Sequence, residues 1–283
     1  MERLTLTTAD RVQVQARFFP AEAPVASVLL APALGVPQQF YARFCTWLAE
    51  RGVSSLTVDY RGVGDSAPPD LRGFKANLRA WGEDDLAAAL DALSARAPGV
   101  PLVWIGHSFG GQALALAPVH GRIAGAVTVA AGFVHRRDWP QPRRAVFSSL
   151  LGVVGPTFGR LHGYVPGWLG IGADLPAGVI EEWGRWCLSE RYLLDHVPGA
   201  GDLLAALGAP VVCYGIADDT YTPAASAARL ASLIPGSAYR TLNPADVGLS
   251  RLGHFNLFRP GAEAGWQRLL LDVLDISEAA PRR

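Results

Sequence analysis

An uncharged run from Val100 to Ile105 stops abruptly at Gly106-His-Ser-Phe-Gly110, and helix formers follow from Gln112 to Ala117. An apolar run bounded in this way reads as a buried strand, so the stretch spells strand, sharp turn, helix. That is the layout of a nucleophile elbow. Small residues two before and two after Ser108 let strand and helix approach each other closely. In such a turn the Ser108 side chain projects above the sheet, and the helix N-terminus beneath it favours negative charge developing nearby. The five-residue pattern alone is common, and its bland reading is a glycine-softened turn without chemistry. Distant partners for the serine decide between the two.

Composition narrows the class. The chain has 283 residues, of which 50% are hydrophobic and 18% charged, enough for one large α/β domain with an insertion and a sizeable core. Lys plus Arg and Asp plus Glu each total 25, so no basic field recommends nucleic acid as a partner. The N-terminal Met1-Glu-Arg-Leu-Thr-Leu-Thr-Thr8 lacks the apolar stretch of a secretory signal. No apolar run approaches the roughly 18 residues that span a bilayer. Cys45, Cys187 and Cys213 are far apart and in no metal-ligand spacing. A reduced, cytoplasmic protein is expected, with Cys213 filling core in a strand.

In chain order, Val12-Gln-Val-Gln-Ala-Arg-Phe18 alternates like a half-buried antiparallel strand, with Leu4-Thr-Leu-Thr7 as its partner across a turn at Ala9-Asp10. Ser27 to Ala31 is a short buried strand closed by Pro32. A helix follows from about Gln39 to Arg51, then a strand from Val53 to Tyr60 and the glycine-rich loop Asp59-Tyr-Arg-Gly-Val-Gly-Asp-Ser66. A second helix covers about Leu78 to Ala97, and Ile123 to Ala130 is another buried strand. From Phe133 to about Gly201 the alternation stops. That region holds Trp139, Trp168, Trp183 and Trp186, many glycines and the arginines 136, 137, 143 and 144, and reads as a lid inserted into the core. Beyond it come a strand at Pro210–Gly215, a helix at Pro223–Leu233, a strand at Ala238–Leu242 and a helix at Gly261–Leu274. Uncharged strands alternating with helices argue for a mainly parallel sheet covered on both faces, with its site at the strands' C-terminal ends.

A serine hydroxyl needs an imidazole to take its proton, and the imidazole needs an acceptor to fix its tautomer. The strand at 210–215 is followed by Asp218 and Asp219, and the last strand by Gly253-His254, so the order is Ser, Asp, His. At these residues the chain resembles the α/β-hydrolase superfamily, and most of all its branch of monoacylglycerol lipases, lysophospholipases and serine aminopeptidases. Ala31-Pro-Ala-Leu-Gly35, Asp59 to Ser66, Gly106-His-Ser-Phe-Gly110 and Gly253-His254 carry the likeness, which covers nearly the whole chain outside the lid.

The resemblance implies an α/β-hydrolase fold, a mainly parallel sheet with helices on both faces and an inserted lid. The core is expected at 1–132 and 202–283, with the lid at 133–201. It implies Ser108 as nucleophile and His254 as base. For the acid, the family's spacing to a following proline selects Asp219, four before Pro223, whereas counting from Gly215 selects Asp218; Asp219 is preferred. The oxyanion hole would use the amides of Phe109 and Leu34, although Pro32-Ala33 stands where the family has His-Gly. His107 is read as a bystander, and Arg61 and Asp65 as braces of loops beside the site. No cofactor or metal is implied. The expected activity is hydrolysis of an ester, thioester or amide through an acyl-enzyme, on an apolar small-molecule acyl substrate, with a moderately sized acyl group preferred over acetyl. Acyl transfer by the same residues and ligand binding without catalysis are the rival readings. Lid tryptophans, Trp183 or Trp186 among them, are expected to wall an apolar acyl pocket beside Ser108.

Overall fold

Strands form where apolar runs can be buried on both faces. The computed structural model describes residues 1–170 and 172–280. Its strands are β1 (Glu2–Thr7), β2 (Gln13–Phe19), β3 (Ala26–Ala31), β4 (Val53–Val58), β5 (Leu102–His107), β6 (Gly125–Val129), β7 (Tyr164–Val165), β8 (Leu175–Pro176), β9 (Val211–Ile216) and β10 (Ala238–Leu242). Eight of them build one sheet in the order β1-β2-β4-β3-β5-β6-β9-β10. β1 and β2 are antiparallel and β2 joins β4 antiparallel; from β4 through β10 all neighbours are parallel. β3, β4, β5, β6 and β9 are buried along their whole length, as strands covered on both sides must be.

Period-two geometry splits each strand between two cores. Leu102 and Trp104 of β5 join one cluster, and Val103 and Ile105 the other. The helices are α1 (Ala42–Ala49), α2 (Leu78–Ala80), α3 (Leu86–Arg96), α4 (Phe109–Gln112), α5 (Arg143–Ser149), α6 (Gly155–His162), α7 (Ala177–Leu188), α8 (Ala200–Ala205), α9 (Ala224–Ser232) and α10 (Glu263–Ala279). α1 and α10 cover one face through Phe44, Leu48, Trp266 and Val273. α3 and α9 cover the other through Leu90, Leu93 and Leu230. All three cysteines are buried and free.

Two helices differ from the sequence expectation. After Ser108 the α-helix ends at Gln112 and tightens into a single turn at Ala113–Ala115, because Pro118 keeps the preceding residue out of helical geometry. The helix expected at Leu78–Ala97 is one continuous rod, but residues Trp81–Asp85 form a widened π turn between α2 and α3. Residues 133–201 lie between β6 and β9 in the chain and add no strand to the main sheet among the described residues; β7 and β8 pair only with each other.

Candidate active site

Close packing explains why Ser108 is held as it is. Its backbone is at φ 53°, ψ −115°, a region side-chain-bearing residues rarely adopt. A Cβ on Gly106 would lie 2.5 Å from the carbonyl oxygen of Gly110, and one on Gly110 would lie 2.0 Å from that of Ala31. Only glycine lets α4 press this closely on β5 and β3. The Trp104 indole N–H donates to the Gly110 carbonyl at 2.9 Å and the Ser108 amide to Val129 at 2.9 Å, locking the turn to the sheet.

The loops after β9 and β10 bring the other residues to the same end of the sheet. His254 Nδ1 is 2.7 Å from Asp219 Oδ2. Asp219 Oδ1 accepts from the amides of Tyr221 (2.7 Å) and Thr222 (3.0 Å), so the carboxylate is fixed before it meets the ring. Asp218 points elsewhere, accepting from the amides of Leu252 (3.0 Å) and Gly253 (2.8 Å). The adjacent aspartates thus hold two parts of one loop: Asp219 the imidazole, Asp218 the backbone leading to it. His254 is 8% exposed, and its ring is flanked by Tyr221 and Phe255.

Ser108, His254, Leu34 and Phe109 all line one cavity of about 250 Å³. Among the described residues His254 is bonded through Nδ1 to Asp219 and not to Ser108, and catalytic bonds of that kind often tighten only with substrate bound. Among the described residues nothing accepts from the amides of Leu34 or Phe109. Among the described residues the rest of the wall is Val36, Val134, Trp139, Phe147, Trp183, Tyr221, Phe255, Gln112, Thr222, Gly170 and Gly172. The Gln112 amide is already engaged, donating to Gly132 and accepting from Tyr192. Of the two tryptophans singled out in the sequence, Trp183 reaches the cavity. Trp186 does not; it is fully buried, its ring edge-on to Tyr192.

Arg61 and Asp65 brace neighbouring loops. Arg61 Nε donates to the fully buried Asp85 at 2.7 Å and its Nη2 to Asp10 at 2.9 Å, while Arg17 pairs with Asp65 at 2.9 Å. Burial pushes the Asp85 carboxyl up to about 7, with Arg61 pulling the other way. Asp59 accepts from the amides of Gln38 and Asp65 and from the Gln38 side chain, and burial raises its pKa. The sequence reading missed the work of Asp218 and the cavity residues Val36, Phe147, Tyr221 and Phe255. Polar clamps onto backbone and wall residues from separate loops leave no periodic signal.

The model of the serine aminopeptidase S33 family matches residues 22–169, just over half the chain. The chain belongs to this family. Its fold is that of the α/β hydrolases, and solved structures agree in shape. An α/β hydrolase, GrgF, from Penicillium sp. sh18 is 17% identical, with a TM-score of 0.68 over 98% of this chain and 99% of that one. A thermophilic esterase from Thermogutta terrifontis, solved with malate bound, is 19% identical, with a TM-score of 0.63 over 98% and 100%. The esterase RhEst1 from Rhodococcus sp. ECU1013 is 20% identical, with a TM-score of 0.63 over 99% and 100%. A search of curated proteins finds no match. The hydrolase has no helix, among the described residues, long and apolar enough to cross a membrane.

Proposed function

We propose that this hydrolase cleaves esters of neutral, apolar acyl groups of moderate size through an acyl-enzyme on Ser108. The observation that carries the reading is the 2.7 Å contact of Asp219 with His254, whose ring lines the same cavity as Ser108. Asp219 keeps the Nδ1 proton in place, so Nε2 is free to accept the Ser108 proton as the hydroxyl attacks the carbonyl carbon. The tetrahedral oxyanion lies between the unoccupied amides of Leu34 and Phe109, at the N-terminus of α4. His254 then protonates the leaving alkoxide, and the same residues activate water against the acyl-enzyme.

The cavity chemistry favours esters over the N-terminal peptides that the family's name suggests. A substrate ammonium group needs a carboxylate or equivalent partner when desolvated. Among the described residues that line the cavity, none carries a carboxylate. Most of the wall is aromatic and aliphatic, and the segment 133–201, which supplies Val134, Trp139, Phe147, Gly170, Gly172 and Trp183, serves as a lid over the core formed by 1–132 and 202–283. The test is Ser108→Ala. The variant is expected to lose both fluorophosphonate labelling and p-nitrophenyl ester hydrolysis while keeping the melting temperature within a few degrees, and Ser66→Ala is expected to keep both. Undiminished labelling of Ser108→Ala rules the assignment out.

A further inference from the structure

Tyr41 and His107 have no part in the residues assigned so far, yet both are completely buried and polar. Tyr41 lies just before α1, and His107 ends β5, immediately before Ser108. The Ala33 amide donates to Tyr41 Oη at 2.9 Å. Tyr41 Oη is 2.7 Å from His107 Nδ1, and His107 Nε2 is 2.7 Å from the carbonyl oxygen of His254.

The direction of every proton in this chain follows from its two ends. A carbonyl oxygen only accepts, so His107 Nε2 carries the proton. A neutral imidazole then leaves Nδ1 as an acceptor, and the Tyr41 hydroxyl donates to it. The hydroxyl's lone pair faces the Ala33 N–H. Burial holds His107 well below the ordinary imidazole range, with His254 beside it acting the same way, so the ring stays neutral. Phe258 packs against both rings, at 5.2 Å from Tyr41 and 4.9 Å from His107, sealing the chain from water.

Each link touches the backbone at or beside a reacting group. Ala33 precedes Leu34, His107 precedes Ser108, and the accepting carbonyl belongs to His254. We propose that Tyr41 and His107 form a positioning relay that holds the oxyanion loop, the nucleophile turn and the base loop in mutual register. The inference rests on the acyl-enzyme reading above. Apolar side chains would fill the same volume without the desolvation cost of a buried hydroxyl and imidazole. What the polar pair adds is fixed distance and direction between three loops that otherwise hang from separate strands. Misplacement by about 1 Å costs on the order of a hundredfold in rate.

The experiment compares Tyr41→Phe, His107→Gln, His107→Asn and the Tyr41→Phe/His107→Asn double variant. Gln places an amide N–H near Nε2 and keeps a donor for the His254 carbonyl; Asn reaches only to the Nδ1 position. Tyr41→Phe is expected to lower kcat on a p-nitrophenyl ester by roughly ten- to a hundredfold, with KM within twofold. His107→Gln is expected to keep more of kcat than His107→Asn, and the double variant to be no worse than the poorer single, as members of one unit behave. A kcat within twofold of the parent for Tyr41→Phe and His107→Asn overturns the relay, as does equal loss in the Gln and Asn variants. Nitrogen NMR of the parent protein reads the tautomer independently of activity: a proton on His107 Nδ1, or on both nitrogens, also overturns it. Absence of fluorophosphonate labelling in the parent protein overturns the acyl-enzyme reading, and the relay's purpose with it. A labelled parent with unaffected variants overturns the relay alone.

Discussion

Asp218 and Asp219 are neighbours with the same side chain, and their surroundings give them different work. Asp219 is aimed by two amides at His254 Nδ1, whereas Asp218 bridges the amides of Leu252 and Gly253. Loss of an orienting carboxylate lets the ring take the wrong tautomer, which costs on the order of 10⁴ in turnover in a serine protease. Asp219→Asn is therefore expected to reduce kcat by about that factor. Asp218→Asn keeps one acceptor oxygen and is expected to cost about tenfold through a looser loop. Steady-state kinetics on one ester ranks them, and the reverse order transfers the acid to Asp218. Spacing to Pro223 singled out Asp219 in the sequence, and its carboxylate is the one that lies against His254 Nδ1. The contacts of Asp218 and His107 were not readable, because a bond to backbone from a remote loop has no sequence pattern.

At the level of elements, the strands were legible because their apolar runs face two cores at once, and β5 followed by Ser108 announced its own turn. Helix detail was less legible. The π turn at Trp81–Asp85 turns Asp85 onto Arg61 and lets the Trp81 indole donate to the Arg61 carbonyl at 3.1 Å. Tertiary partners decide such a turn, not propensity. The elbow allows a sharper prediction. Gly110→Ala puts a methyl 2.0 Å from the Ala31 oxygen, so α4 must back away from β3. Thermal unfolding is expected to report a loss of about 1–3 kcal/mol, with ester hydrolysis falling more than tenfold as Phe109 shifts. Retained activity would mean that the α4–β3 contact does not set the site. The brace on the β1–β2 turn predicts a pH effect. Hydrogen bonding to Arg61 holds the Asp10 carboxyl at about 2, below its ordinary 3.8. A carboxylate lowered on folding stabilises the protein above its unfolded pKa and loses that contribution as pH falls toward its folded pKa. The stability gap between the parent and Asp10→Asn is thus expected to be constant above about pH 5 and to shrink below pH 4. Urea titrations at several pH values check this, and a gap that widens on acidification contradicts it.

On the scale of the whole molecule, the segment 133–201 is seated firmly on the rest of the chain. Glu182 accepts from the amides of Leu78 and Arg79 at the start of α2, Tyr192 donates to Gln112, and the Trp139 indole donates to the Tyr221 carbonyl. The Asp138 carboxylate pairs with Arg229 of α9, and the Ala173 amide donates to the Gly35 carbonyl in the loop after β3. These bonds tie the segment to the core around the cavity, so cavity size is expected to select the acyl group. A cavity of about 250 Å³ is small beside the roughly 300–1,000 Å³ of drug-sized sites. Each methylene buried against Trp139, Phe147 and Trp183 contributes about 0.8 kcal/mol, close to fourfold in kcat/KM, until the space is full. Across p-nitrophenyl esters, kcat/KM is expected to climb from acetyl through butyryl, peak at a medium chain and fall toward palmitoyl. Phe147, half-buried on α5 and stacked on Trp139 at 4.5 Å, closes one side of the cavity. Phe147→Ala is expected to move the peak to longer chains with little change for acetyl, because the small ester does not reach that wall. A steady decline from acetyl onward, or a peak that stays put in Phe147→Ala, would show that the acyl group lies elsewhere and that residues 133–201 do not bound its site.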